Sequence, residues 1–183
     1  FLKENIHRGV VYGGANEYSI LYDRILRNII PFTLKGALWY QGEANTRNFE
    51  DYQTLFSGMI DDWREAWGYN FPFYYAQLAP FPEAGTLGVR EAQRKTLLTT
   101  TNTGMAVLMD IGEKDDIHPH NKQDVGKRFA LLALDKQYGF DYLSSGPVYK
   151  SHQTNGNYLT VDFSSKGSGL EFKGDNHDFE IAG

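Results

Sequence analysis

Segments with strand and helix patterns alternate along the first 146 residues of this chain. Short apolar segments that predict strands occur at 35–40, 71–78 and 105–110. Segments whose apolar residues recur three or four positions apart, which predicts helices, occur at 17–30, 48–67, 89–98 and 122–138. Strands that alternate with helices form a mainly parallel sheet covered on both faces. The expected fold class is therefore α/β.

The pattern changes after Gly146 and Pro147. Short strand patterns at 158–163 and 179–182 are separated by Gly, Ser and Asn, which is typical of an antiparallel β region. We therefore expect two regions, 1–146 and 147–183. The chain begins with Phe1 and ends with Gly183 inside a strand pattern, so we expect it to be part of a longer protein.

Composition excludes several classes of function. The net charge of −5 over 183 residues argues against a general nucleic-acid surface, which needs clustered Lys and Arg. The chain has no cysteine, so disulfides, thiolate metal sites and a cysteine nucleophile are excluded. No apolar run approaches the roughly 18 residues of a membrane span. Neither nucleic acid nor a membrane is an expected partner.

Polar residues follow each predicted strand. In open α/β sheets, ligands bind at the carboxyl ends of the strands. The loops at those ends are 41–45, 78–88 and 110–120, and we expect all three at one edge of the sheet. This edge is the expected position of a functional site.

The loop GEKDDIHPHNKQDVG, residues 112–126, supplies the first candidate, His118. A histidine with an acidic partner is the usual general base for a serine nucleophile. Asp115 and Asp116 precede it by three and two residues. An exposed acidic loop with a surface histidine is the alternative.

The loop after the first strand supplies the second candidate group. A side-chain amide such as Gln41 can donate hydrogen bonds to a developing oxyanion, and Gly42 would let the backbone approach a substrate closely. Glu43 and Asn45 belong to the same polar block. An ordinary turn between strand and helix is the alternative.

A metal site competes for the histidine loop. His118 and His120, with acidic side chains at 110, 113, 115 and 116, offer nitrogen and oxygen ligands. No second histidine-rich element supports them, so we expect neither a metal nor another cofactor. The chain's serines lack a nucleophile-elbow pattern and stand at 19, 57, 144, 145, 151, 164, 165 and 168.

Several motifs, in this order, resemble the sialate O-acetylesterase family of SGNH hydrolases, relatives of acetylxylan esterases. They stand at 34–45, 70–81, 90–93, 116–123, 145–149 and 179–183. The resemblance implies a three-layer α/β/α fold and a serine esterase that removes acetyl groups from sugars. It also implies a secreted or periplasmic location, although a cytoplasmic one stays possible.

The resemblance also implies roles for individual residues. His118 matches the family's base, and its Asp-x-x-His spacing selects Asp115, with Asp116 as a rival. Gln41 matches the oxyanion amide, while Arg90 and Gln93 match a motif beside the pocket. The family's nucleophilic serine precedes everything present here, so we expect this chain alone to be inactive. A missing upstream segment or a second chain would then supply the serine. A non-catalytic carbohydrate-binding or scaffold domain is the alternative.

Overall fold

The computed structural model describes residues 19–30, 32–113 and 115–171. A π-helical turn, Tyr22–Leu26, continues as a short α-helix, Arg27–Ile29. The three longer helices are α1, Phe49–Trp67, α2, Thr86–Thr99, and α3, Lys122–Lys136. The strands are β1, Ala37–Trp39, β2, Phe73–Ala76, β3, Thr103–Ala106, β4, Val148–Asn155, and β5, Tyr158–Ser164.

The first three strands form the predicted parallel sheet. Their order is β1-β2-β3, with Ala37 opposite Phe73 and Phe73 opposite Thr103. All four residues of β2 are buried, as expected for a central strand with helices on both faces. The expected α/β fold class is confirmed.

The two faces of β2 lie in two separate cores. Phe73 and Tyr75 pack with residues of α1 and α2, including Phe56 and Val89. The other two β2 side chains pack with Val125, Phe129 and Leu132 of α3, on the opposite face. Successive side chains of a strand point to opposite faces. The result is a three-layer arrangement of helix, sheet and helix.

Residues of the types that commonly begin or end helices flank α1 and α3, and two of the three act as caps. The Asn121 side chain accepts a hydrogen bond from the Asp124 N–H and caps α3, and Gly68 ends α1 in a left-handed conformation with φ of 77°. Asn48 makes no side-chain cap. A short 3-10 helix, Glu43–Asn48, runs directly into α1, so the helical backbone is already formed before that position.

The strand at 105–110 is shifted in the structure. β3 ends at Ala106, while Leu108 is fully buried against the α3 side and Val107 and Met109 are largely exposed. After Ala106 the exposed and buried side chains still alternate, but the backbone no longer pairs with β2. β1 lies at the edge of the described sheet, and its Leu38 side chain is 64% exposed.

The segment after residue 146 contains an antiparallel hairpin. β4 and β5 pair from Val148 opposite Ser164 to Asn155 opposite Tyr158. β5 matches the predicted strand, whereas β4 was missed because its residues are polar and mostly exposed. The strand predicted at 179–182 lies outside the described residues. The division at 146 stays a prediction.

The N-terminal helical segment leaves its apolar stripe exposed. Leu21, Ile25 and Ile29 are 57%, 56% and 40% exposed, although their spacing predicted the helix correctly. Among the described residues, no helix has the length and apolarity needed to cross a bilayer.

One buried arginine holds the amino-terminal ends of two strands. Arg64, 8% exposed on α1, donates to the carbonyl oxygens of Phe71, Thr101 and Asn102 at 3.1, 3.0 and 2.9 Å. These carbonyls come just before β2 and β3. Arg64 therefore supplies a donor to the buried Phe71 carbonyl and links the starts of the two strands through the other two carbonyls.

Replacing Arg64 with methionine should lower the free energy of unfolding by about 2–4 kcal/mol, because it leaves the buried Phe71 carbonyl without its donor and removes the links to the two carbonyls before β3. Chemical denaturation of the purified chain measures this. The control is Arg94→Met, which removes an exposed arginine paired only with Glu91 on α2 and should cost less than about 1 kcal/mol. Equal losses in the two variants would contradict the role given to Arg64.

Candidate active site at the carboxyl edge of the sheet

The loops after the strands meet at one edge of the sheet. A concavity of about 370 Å³ opens there. Its lining comes from the loop after β1 and from the loop that leads to α3, and includes Tyr40, Gln41, Glu43, Ile117, His118 and Lys122. A second, smaller cleft joins Glu43 and Asp116 to the loop after β2, through Leu78 and Pro80. The geometry thus brings all three predicted loops together.

His118 stands at the rim of the larger concavity with its backbone held and its ring free. Its N–H donates to Asp116 Oδ1 at 2.7 Å, whereas its ring Nδ1 lies 3.9 Å from the same oxygen. That second distance is too long for a hydrogen bond. The side chain is 83% exposed. Asp115 is exposed, and no hydrogen bond joins it to His118 within the described residues. Asp116 is therefore the acid in contact with His118 in this structure.

Gln41 has a fixed side chain and a fixed backbone. Its Nε2 donates to Asn45 Oδ1 at 2.7 Å, which orients the amide and leaves its second N–H for another acceptor. The Gln41 carbonyl accepts from the Tyr52 hydroxyl at 3.0 Å and from Gln93 Nε2 at 3.3 Å. An amide N–H held in this way can donate to a developing oxyanion.

Gly42 faces the core rather than the concavity. Its φ of +149° is rarely adopted by L residues, and a Cβ there would stand 3.1 Å from Val89 and 3.3 Å from Leu78. Glycine at this position is therefore required by packing, and its predicted role in admitting a substrate stays a prediction. Glu43, the next residue, lines both the concavity and the smaller cleft.

Gln93 lies beneath the site with none of its surface exposed. Its Oε1 accepts the Leu78 N–H at 2.9 Å, and its Nε2 donates to the carbonyls of Ala76 and Gln41 at 3.2 and 3.3 Å. One amide thus joins the loops that follow β1 and β2. Gln93, whose motif was expected beside the pocket, lies behind the loops that form the pocket, where its bond to the Gln41 carbonyl can position Gln41.

Arg90, the partner of Gln93 in the predicted motif, is half-buried on α2. Its carbonyl accepts from Gln77 Nε2 at 3.1 Å. Its Nε is buried and has no hydrogen-bond partner among the described residues. Burial lowers the pKa of the guanidinium, because desolvation disfavours the charged form. Its predicted part in substrate binding stays a prediction.

An ion pair closes the loop that carries His118. Glu113 Oε1 accepts the His120 N–H at 2.7 Å, and both carboxylate oxygens lie 3.0 Å from His120 Nδ1. The hydrogen bond and charge of Glu113 raise the pKa of His120. The backbone and imidazole N–H groups of His120 in turn lower the pKa of Glu113.

The same residues are what the metal alternative would use. Glu113, Asp116 and His120 place one ligand atom each within 4.8 Å of one another. Asp110, another candidate ligand, instead forms a bidentate ion pair with Arg128 of α3 at 2.7 and 2.6 Å. The hydrogen bond from Arg128 lowers the Asp110 pKa. Glu113 and His120 already bond to each other, and a loop closed by hydrogen bonds would bring the same three side chains together without a metal. The geometry therefore assigns no metal role to these residues.

Lys122 is a lining residue that sequence reasoning missed. Its Nζ lies 4.8 Å from the centre of the Tyr40 ring, and both residues line the concavity beside His118. A cation at the first position of a helix is disfavoured by the helix dipole, so a lysine directly after the Asn121 cap was an available signal.

Replacing Gln93 with leucine should lower the free energy of unfolding by about 1–3 kcal/mol, since it leaves the buried Leu78 N–H without its acceptor and removes the bond to the Gln41 carbonyl. It should also shift the backbone NMR resonances of Gln41 and Leu78. Gln123→Leu, on the exposed first turn of α3, is the matched control and should do neither. Unchanged stability and resonances in Gln93→Leu would show that the amide does not join the loops.

The chain is similar to known carbohydrate esterases in sequence and in fold. The family described as "Carbohydrate esterase, sialic acid-specific acetylesterase" matches residues 7–135. Sialate O-acetylesterases of Mus musculus and Homo sapiens are 32% and 31% identical, over 75% and 74% of this chain. A crystal structure of a carbohydrate acetylesterase from Xanthomonas citri superposes with a TM-score of 0.74 at 38% identity and covers 80% of this chain.

The matches cover much less of the other proteins. This chain spans 30% of the length of the two mammalian relatives and 36% of the Xanthomonas citri structure. The family match covers more than half of this chain, all three strands of its parallel sheet, and the loops that form the concavity. The chain therefore belongs to the family of sialic acid-specific acetylesterase-type carbohydrate esterases.

Proposed function

We propose that this chain carries the general base and part of the oxyanion site of a carbohydrate O-acetylesterase. The observation that carries the proposal is that His118 and Gln41 line one concavity at the carboxyl edge of a parallel sheet. Membership of the carbohydrate esterase family supports an acetylated sugar as the substrate. We extend this to acetyl esters of sialic acid or a related glycan.

Each residue has a definable step in the reaction. His118 takes the proton of a serine hydroxyl as that oxygen attacks the acetyl carbonyl. The free amide N–H of Gln41 donates to the oxyanion that forms. His118 then returns the proton to the departing sugar hydroxyl. Water repeats the cycle on the acetylated serine and releases acetate.

In this proposal the nucleophile is not one of the serines present here. No serine lines the concavity or the neighbouring cleft in the described part of the chain. Ser57 lies within α1, Ser144 bonds to Asp135, and the hairpin serine Ser151 bonds to Asp162. The family resemblance implies a serine on a preceding segment. Among the described residues β1 is an edge strand, and a further strand that docks there would end beside Gln41.

The identity of the acid is open to a direct test. The family spacing favours Asp115, whereas the contact with the His118 backbone favours Asp116. The His118 Nδ1 atom lies 3.9 Å from Asp116 Oδ1, and catalytic hydrogen bonds are often long before a ligand binds. We therefore assign the role to Asp116.

A carbohydrate-binding role without catalysis is the second candidate. The absence of a serine from the concavity, within the described residues, favours it. Sugar binding that survives His118→Ala, in a protein that hydrolyses no acetyl ester, would establish this candidate.

A secreted or periplasmic location is a further proposal from the family resemblance and is tested by fractionating the native cells.

Hydrolysis of a small aryl acetate tests the esterase. The chain alone should show no turnover that depends on His118. Joined to the upstream segment of the Xanthomonas citri relative, it should hydrolyse the ester, and His118→Ala should then lower kcat by about 10³-fold or more. His152→Ala, in the distant hairpin, should leave kcat unchanged. A joined protein whose activity ignores His118 would overturn the proposal.

The two aspartates are compared in the same assay. Asp116→Asn should lower kcat by about 10²-fold or more, because the wrong tautomer of His118 is then stabilised, while Asp115→Asn should have a smaller effect. The reverse ranking would move the acid to Asp115.

A further inference from the structure

The loop around His118 is closed by contacts that do not involve the His118 ring. One carboxylate, that of Glu113, binds both the backbone and the ring of His120, seven residues further along the chain, at 2.7 and 3.0 Å. Glu113 also pairs with Asp116 as an isolated antiparallel bridge. Between these contacts, Pro119 is fully buried. The backbone on both sides of His118 is therefore fixed.

The closure matters for position rather than for stability. The side chains of Glu113 and His120 are 42% and 79% exposed, and ion pairs at such exposure contribute little to the stability of a fold. Their local effect is larger, since His118 lies two residues before His120 and, within the described residues, its backbone makes one hydrogen bond, to Asp116. An exposed ring on an open loop would sample many positions.

We propose that Glu113 and His120 are positioning residues, which form a clamp that holds the His118 backbone at the rim of the concavity. The inference rests on the proposed role of His118 as the base. Gly112 supports the closure, because a Cβ there would stand 2.3 Å from Pro80, so glycine lets the start of the loop lie directly against the loop after β2. The loop that the clamp closes thus lies directly against the loop after β2.

Three variants test the clamp. Glu113→Ala removes both contacts. His120→Arg keeps them, because a guanidinium can pair with the Glu113 carboxylate in a bidentate geometry and its backbone N–H is retained. Glu91→Ala is the control, since it removes a carboxylate of similar exposure that pairs with Arg94 and Lys95 on α2.

Backbone ¹⁵N relaxation gives a readout that needs no turnover. In Glu113→Ala the order parameter of the His118 amide should fall from about 0.85, typical of rigid backbone, to below about 0.6. His120→Arg and Glu91→Ala should keep the higher value. The melting temperature should stay within about 2 °C of the parent protein in all three, which separates lost position from lost fold.

Turnover in the serine-containing protein gives the second readout. Glu113→Ala should lower kcat roughly 10- to 100-fold with little change in KM, because a displacement of about 1 Å can cost 10²-fold in rate. His120→Arg should restore most of the rate. Unchanged order in Glu113→Ala overturns the clamp even if His118→Ala abolishes hydrolysis. Loosening of the loop without a fall in kcat overturns its catalytic relevance.

Discussion

The burial of β2 on both faces is the constraint on which the rest of the structure depends. Its four residues send alternate side chains into two cores, so the same strand orders α1 and α2 on one side and α3 on the other. Because β1 and β3 pair with β2 in parallel, their carboxyl ends reach the same edge. The position of the site follows from this one strand.

Two buried polar side chains bind backbone groups at opposite ends of the strands. Arg64 binds carbonyl groups that precede β2 and β3, and Gln93 binds backbone groups that follow β1 and β2. Strands as short as these expose backbone groups at their ends, and buried groups of that kind need partners. The amide at the carboxyl edge has a second consequence, since it fixes the backbone of the residue proposed to donate to the oxyanion.

The loop that carries His118 is organised differently from the core. Its contacts are ion pairs and backbone hydrogen bonds among exposed residues, with one buried proline. Such a loop keeps the histidine ring accessible while restricting its backbone. In the sheet that the structure describes, β1 is an edge strand and leads directly to Gln41.

The sequence by itself determined the alternation of strands and helices, the cap at Asn121, the end of α1 at Gly68, and the loops where chemistry was expected. These features are local, because periodicity and capping depend on residues a few positions apart. The sequence pattern did not predict the bounds of β3 or the existence of β4, because strand pairing there does not coincide with an apolar segment. Only the tertiary structure decided that Gly42 faces the core, that Gln93 lies behind the pocket, and that Asp116 rather than Asp115 contacts His118. The first two relations depend on how separate segments pack, such as the contact between Gln93 and Gln41, 52 positions apart. The third depends on the backbone conformation of the loop between Asp116 and His118.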